Sequence, residues 1–163
     1  MPTTYEPIAT TTLTSTAGII TFASIPQTYT DLVLVVACLD SVGGGRTRLR
    51  LNGDSATNYS RTNLTGNGSS ANSYSGSNET QFDLSVAAGT SNINPTAQII
   101  SINNYSNTTT NKTILSRYGL GNQSVEAMVG LYRSTAAITS VSYFTQGTMQ
   151  IGTTATLYGI KAA

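Results

Sequence analysis

Histidine and tryptophan are absent from this sequence, cysteine occurs once, and charged residues fill only 9% of its 163 positions. Each shortage removes a class of chemistry. Without histidine there is no imidazole to act as a general base near neutral pH, no Ser-His or Cys-His nucleophile pair, and none of the commonest metal ligand. The lone cysteine, Cys38, forms no internal disulfide, and within the apolar run LVLVVACL it reads as a small core hydrophobe. A net charge of +1 gives no long-range attraction to phosphate, which argues against nucleic acid as a partner. That same run, Leu32 to Leu39, is the longest apolar stretch and falls far short of the roughly 20 residues of a membrane helix, so it reads as a strand.

What remains is a hydrophobic fraction of 39% spread along the whole chain, enough to build one core in one domain. Thr, Val, Ile and Tyr are plentiful while Glu, Lys, Gln and Arg are scarce, a balance that favours the pleated surface of a sheet over a helix. Charge lies far below the roughly 25% of ordinary soluble domains, so the surface is polar but nearly neutral.

Nine short runs carry strand character: GIITFASI, DLVLVVACL, RTRLRL, TQFDLSV, AQIISINNY, KTILSRYGL, EAMVGLYRS, ITSVSYFTQ and ATLYGIK. Gly, Pro, Asn, Asp and Ser separate them, residues suited to turn dihedrals. The expected fold is all-β: an antiparallel, jelly-roll-like β-sandwich of about nine strands over residues 18–163, preceded by an extended N-terminal arm at 1–17. Pro2 and Pro7 keep the arm from being helical, and its isolated apolar residues Tyr5, Ile8 and Leu13 are expected to order on contact with this domain or a partner. DLVLVVACL is apolar on both faces, as in a central strand covered on both sides. AQIISINNY and KTILSRYGL flank the polar run SNTTTN and predict a hairpin with that run at its tip.

Arg46, Arg48 and Arg50 alternate with Thr47, Leu49 and Leu51, which puts three guanidinium groups on one strand face as a candidate docking stripe. The interval 52–78 is nearly free of large aliphatics and predicts a long loop, with Tyr59, Leu64 and Tyr74 as its surface-binding or anchoring residues.

Seven carboxylates are scattered, several beside turns; pairs such as Asp31 with Asp83 or Glu79 with Glu126 are compatible with glycosidase chemistry only in the sense that any scattered set is. No catalytic residue, metal ligand or cofactor is assigned. NGDSATN, Asn52 to Asn58, groups oxygen donors but lacks the acidic ligands of a calcium loop and reads as a turn around Gly53 and Asp54. Gly43–Gly45 reads as a flexible hairpin tip. The sequons at Asn104, Asn107 and Asn111 are what such a composition produces by chance.

The blocks MPTTYEPIATTTL, ITFASIPQTYTDLVLVV, LRLNGDSATNYS, GLYRSTAAITSV and TLYGIKAA resemble small virion proteins of tailed bacteriophages, especially those infecting cyanobacteria and related marine bacteria. The resemblance implies a non-enzymatic structural role on the virion surface. The first expectation is a capsid decoration, or cement, protein that binds and stabilises the head shell, with the major capsid protein and its own copies, as dimer or trimer, for partners. A tail-fibre or receptor-binding module that recognises a host-surface glycan is the alternative. In the decoration reading, Tyr5, Ile8 and Leu13 of the arm and Arg46, Arg48 and Arg50 dock on the partner. The opening MPTTYEPIATTT lacks a basic stretch followed by an apolar core, which predicts no secretory signal and synthesis in the host cytoplasm.

Overall fold

A computed structural model of the chain describes residues 4–87 and 89–161. The first three residues of the expected arm, Ala88 in the AAGTSNINP break, and the last two residues lie outside that set. Among the described residues there is no helix. The strands in chain order are β1 (Tyr5–Thr12), β2 (Ala17–Phe22), β3 (Asp31–Cys38), β4 (Thr47–Leu51), β5 (Tyr59–Gly66), β6 (Ala71–Glu79), β7 (Phe82–Asp83), β8 (Thr96–Asn103), β9 (Lys112–Leu120), β10 (Ser124–Tyr132), β11 (Val141–Met149) and β12 (Thr154–Ile160).

Two antiparallel sheets form a sandwich, one ordered β1-β12-β3-β8-β9-β10-β5-β6 and the other β2-β11-β4-β7. Within this order lies a jelly roll, in which β1-β12-β3-β8 packs against β2-β11-β4-β7. The chain crosses between sheets at each step from β1 to β4, stays in the small sheet for β7, returns for β8, and crosses twice more through β11 and β12. Two hairpins, β5–β6 and β9–β10, are inserted into that winding. They pair with one another through β10 and β5 and widen the large sheet beyond β8.

The nine expected runs all carry strands, and three further strands bring the count to twelve. Two of the additions replace the loop expected at 52–78, which is the β5–β6 hairpin. The third is the arm: β1 pairs along β12 from Tyr5 opposite Ile160 to Thr12 opposite Thr154, with one bulge between Pro7 and Ala9. Ile8 and Leu13 pack partly against the chain's own core. The Lys161 ammonium meets Glu6 at 2.9 Å, and the Tyr29 hydroxyl donates to the same carboxylate.

A main core fills the sandwich, with Tyr118 and Leu120 forming a small second cluster. Leu32 and Leu34 of β3, Leu49 and Leu51 of β4, Ile100 and Ile102 of β8, Tyr143 of β11 and Leu157 of β12 are fully buried. Each aliphatic among them contributes about 1.5–3 kcal/mol by leaving water.

Local turn chemistry sets the crossings. Asn52 and Gly53 have φ of 53° and 64°, and the Asp54 amide donates back to the Leu51 carbonyl at 2.9 Å, the pattern of a type I′ turn. Asn tolerates this left-handed backbone, and its side chain is used as well. Its Oδ1 accepts the Thr139 and Ser140 amides at 2.8 and 3.2 Å, and its Nδ2 donates to the Ala137 carbonyl at 2.9 Å. Gly43–Gly45 lies in the arch from β3 to β4, between sheets, and not at the hairpin tip expected from its composition. Its Gly44 amide donates to the Thr90 carbonyl at 2.6 Å, so the arch is tied to the loop before β8. The SNTTTN tip closes β8 to β9 as expected: the Asn107 side-chain oxygen accepts the Thr109 and Thr110 amides at 2.7 and 2.9 Å.

Candidate interaction face

The arginine stripe lies on the outer face of the small sheet, and the carboxylate it meets is the chain's own. Asp83, on β7, accepts from Arg46 at 2.6 Å and from Arg48 at 3.0 Å, and Arg61 of β5 approaches it to 3.7 Å while pairing with Glu79 at 2.9 Å. Arg50 donates to the Gln81 side chain at 2.8 Å and lies over the Phe144 ring, 5.2 Å from its centroid. The stripe therefore fastens the short β7 strand and the β5–β6 hairpin to β4.

Tyr59, expected in a surface loop, is instead fully buried. Its ring packs edge-on to Phe82 at 4.9 Å and against Tyr132 at 4.9 Å, and its hydroxyl donates to the Asp54 carbonyl at 2.8 Å. Three aromatic rings and a satisfied hydroxyl place it in the core. Leu64 and Tyr74 are exposed, on opposite faces of the β5–β6 ribbon. Tyr5 is exposed on the large sheet, edge-on to Tyr158 at 6.4 Å.

The carboxylates serve the fold. Glu126 is buried and accepts the Val86 and Ala87 amides, each at 2.9 Å; buried Asp40 accepts from the Thr90 hydroxyl at 3.0 Å. Asp31 accepts the Asn104 amide at 2.6 Å. In NGDSATN the Asp54 oxygens accept from the Ala56 amide, the Asn58 side-chain amide and the Tyr132 hydroxyl, which is the turn reading realised. The Asn58 amide, foremost among these donors, holds the Asp54 carboxyl below its ordinary range. Burial pushes the Cys38 thiol up to about 11 and the Tyr132 hydroxyl up to about 12. Buried Lys112 donates to the Thr110 and Thr135 carbonyls at 2.7 and 3.1 Å, and desolvation lowers its affinity for the proton.

The surface that the fold leaves unspent is the outer face of the large sheet. Register aligns Val35 with Ile99, Leu115 with Val129, and Ala127 with Leu64, all pointing away from the core. Ile99, Leu115 and Val129 are each nearly half exposed, at 48%, 48% and 47%. A concave groove of about 580 Å³ crosses this face, floored by Val33, Ile99, Leu115 and Val129, with Tyr5 and Leu64 also on its wall. It thus unites two of the residues singled out in the sequence, Tyr5 and Leu64, although they stand on β1 and β5. Away from the strand ends, Arg117 is the only charged side chain among the outward positions of β3, β8, β9, β10 and β5, opposite Ile99 and Ala127. Arg117 makes no side-chain hydrogen bond or ion pair among the described residues.

Sequence reasoning missed Val35, Ile99, Leu115, Arg117 and Val129. The signal was present in KTILSRYGL and EAMVGLYRS, where inward Ile114 and Met128 stand directly beside outward Leu115 and Val129. A strand that is apolar on both faces asks for a cover on both.

No family model matches the chain, and no curated protein matches its sequence. Among solved structures it is similar to an exo-inulinase from Aspergillus awamori, with a TM-score of 0.46 and 14% identity. That alignment covers 96% of this chain and 29% of the other, so the chain spans under a third of that protein's length.

Proposed function

We propose that this chain is a non-enzymatic structural component of a phage virion, a decoration protein that binds the major capsid protein on the head surface. The observation that carries the reading is the division of the molecule's polar and apolar groups. Carboxylates and all arginines but Arg117 are engaged in bonds that hold the sandwich, while exposed aliphatic side chains gather on one sheet face. Apolar side chains gathered on one exposed face mark a chain that mates with protein surfaces, those of its own copies included. The resemblance of the sequence blocks to phage virion proteins supplies the particle.

The test compares particles assembled with and without the chain. Particles that lack it are expected to release their genome at lower temperature and to rupture on osmotic shock, and cryo-electron microscopy should place the sandwich on the shell. Equal resistance of both particles, with the density found elsewhere, would retire the reading.

One observation favours the tail-fibre alternative. Exposed Tyr5 stands at the wall of the groove, edge-on to the half-buried Tyr158, and aromatic faces stack on sugars. Binding of the isolated chain to host cells or a glycan array, abolished by Tyr5→Ala, would favour that alternative over decoration.

A further inference from the structure

We propose that the outer face of the large sheet is the contact between two copies of this chain, packed face to face; this deepens the structural-component reading by naming what covers that face. The face is large enough for a stable pair. A sheet eight strands wide, with a spacing of about 4.8 Å and strands of about eight residues, spans about 1,000 Å², and a stable interface needs about 800 Å² from each partner.

The composition of the face suits burial against a second copy. The face holds aliphatics, Tyr5 and Tyr158, a border of threonines, and Arg117 as its central charge; lysine and carboxylates are missing from its middle. Interface cores are enriched in Tyr and Arg and depleted in Lys, Asp and Glu, and those of homodimers are the most apolar. Arg117 is compatible with such burial, because guanidinium is the more weakly hydrated cation and outward Ser101 and Thr62 of a facing copy offer it hydroxyl acceptors.

The edges of the large sheet are blunted as well. β1 carries Pro7 and a bulge beside it, and β6 has Gly76 and then Asn78, with φ of 57°, just before its end at Glu79. Such irregularities work against addition of another strand at these places and favour association through the face. The same patch on both copies makes a closed two-fold pair.

Analytical ultracentrifugation at micromolar concentration reads the result. The wild-type chain is expected to sediment at the mass of two chains. Leu115→Glu, at the centre of the face, should sediment as one folded chain, and Thr21→Glu, on the exposed face of the small sheet, should remain paired. Should Leu115→Glu misfold, a nitroxide on Val129→Cys provides the second readout, because the buried Cys38 thiol stays unlabelled and only a face-to-face pair brings two labels close enough for dipolar broadening. A monomeric wild type, a Leu115→Glu variant that stays paired, or an absence of broadening would overturn the proposal. These outcomes are independent of whether the chain is found on a capsid, which the particle experiment decides.

Discussion

Arg48 and Asp83 stand opposite one another in the β4–β7 ladder, with the guanidinium Nε 3.0 Å from a carboxylate oxygen. Asp83 also holds Arg46 and lies near Arg61, so one carboxylate offsets the mutual repulsion of three cations. A strand of two residues has too few ladder bonds to hold itself in place. The ion network is what keeps β7, and with it the fully buried Phe82, on the sandwich.

Asp83→Asn is therefore expected to destabilise the fold by about 2–4 kcal/mol, below the upper range for a buried network because Arg46 is partly solvated. Urea unfolding at neutral pH measures it. A loss under about 0.5 kcal/mol would show that the arginines do not depend on this carboxylate.

Gly130→Ala should cost about 1–3 kcal/mol by overpacking. A Cβ at that position would lie 2.5 Å from a ring carbon of Phe82, which has no free space to retreat into. Loss of near-ultraviolet circular dichroism together with a lower unfolding midpoint is the expected pair of readings, and an unchanged midpoint would contradict the packing described here.

Asn52 does two jobs, one in its backbone and one in its side chain, and two substitutions separate them. Asn52→Gly keeps the left-handed turn but loses the bonds to residues 137–140, for about 1–3 kcal/mol. Asn52→Ala also strains the turn and should cost about 1 kcal/mol more. Equal stabilities of the two variants would mean that the turn conformation contributes nothing.

The Asp54 carboxyl is held below its ordinary value of 3.8 in the folded state, so its contribution to stability is present above that pH and is lost as pH falls through the folded value. Unfolding free energies of wild type and Asp54→Asn should differ most near neutral pH and converge toward pH 2. A constant difference across that range would remove Asp54 from the acid response.

Cys38 should resist iodoacetamide in the native protein at pH 8, since a thiol pushed up to about 11 carries almost no thiolate there, and should react at once in guanidinium chloride. Equal rates in both states would contradict its burial.

The strands that were legible in the sequence are those whose inward positions are aliphatic, such as Leu32, Leu34 and Val36 in β3 or Ile100 and Ile102 in β8. The β5–β6 hairpin was illegible because its inward residues are Tyr59, Arg61, Asn63 and Thr65. Arg61 and Asn63 are buried by bonds to Glu79 and to the Leu84 carbonyl, and polar satisfaction leaves no hydrophobic period to read. The pairing of β1 along β12 was illegible for a related reason: as an edge strand it is half exposed and its register is broken by a bulge. Of the residues singled out for docking, the arginines were read correctly as one face, but which carboxylate they meet depends on β7, which lies 35 residues beyond Arg48, about 120 Å of extended chain at about 3.4 Å per residue. The apolar face became visible only when β9, β10 and β5 were laid side by side.

The pairing of Tyr5 with Ile160 brings the first and last strands to a common corner of the large sheet. A peptide of a few residues between Thr4 and Lys161, whose backbones are hydrogen-bonded at 3.2 Å, would thus join these two strands directly, and the exposed tip between β5 and β6, at Asn67 to Ser70, is a natural place to open the chain instead. Such a permuted chain would move both ends, and any cargo fused to them, to the opposite flank of the sandwich while leaving every sheet pairing except the β5–β6 connection covalently as it was.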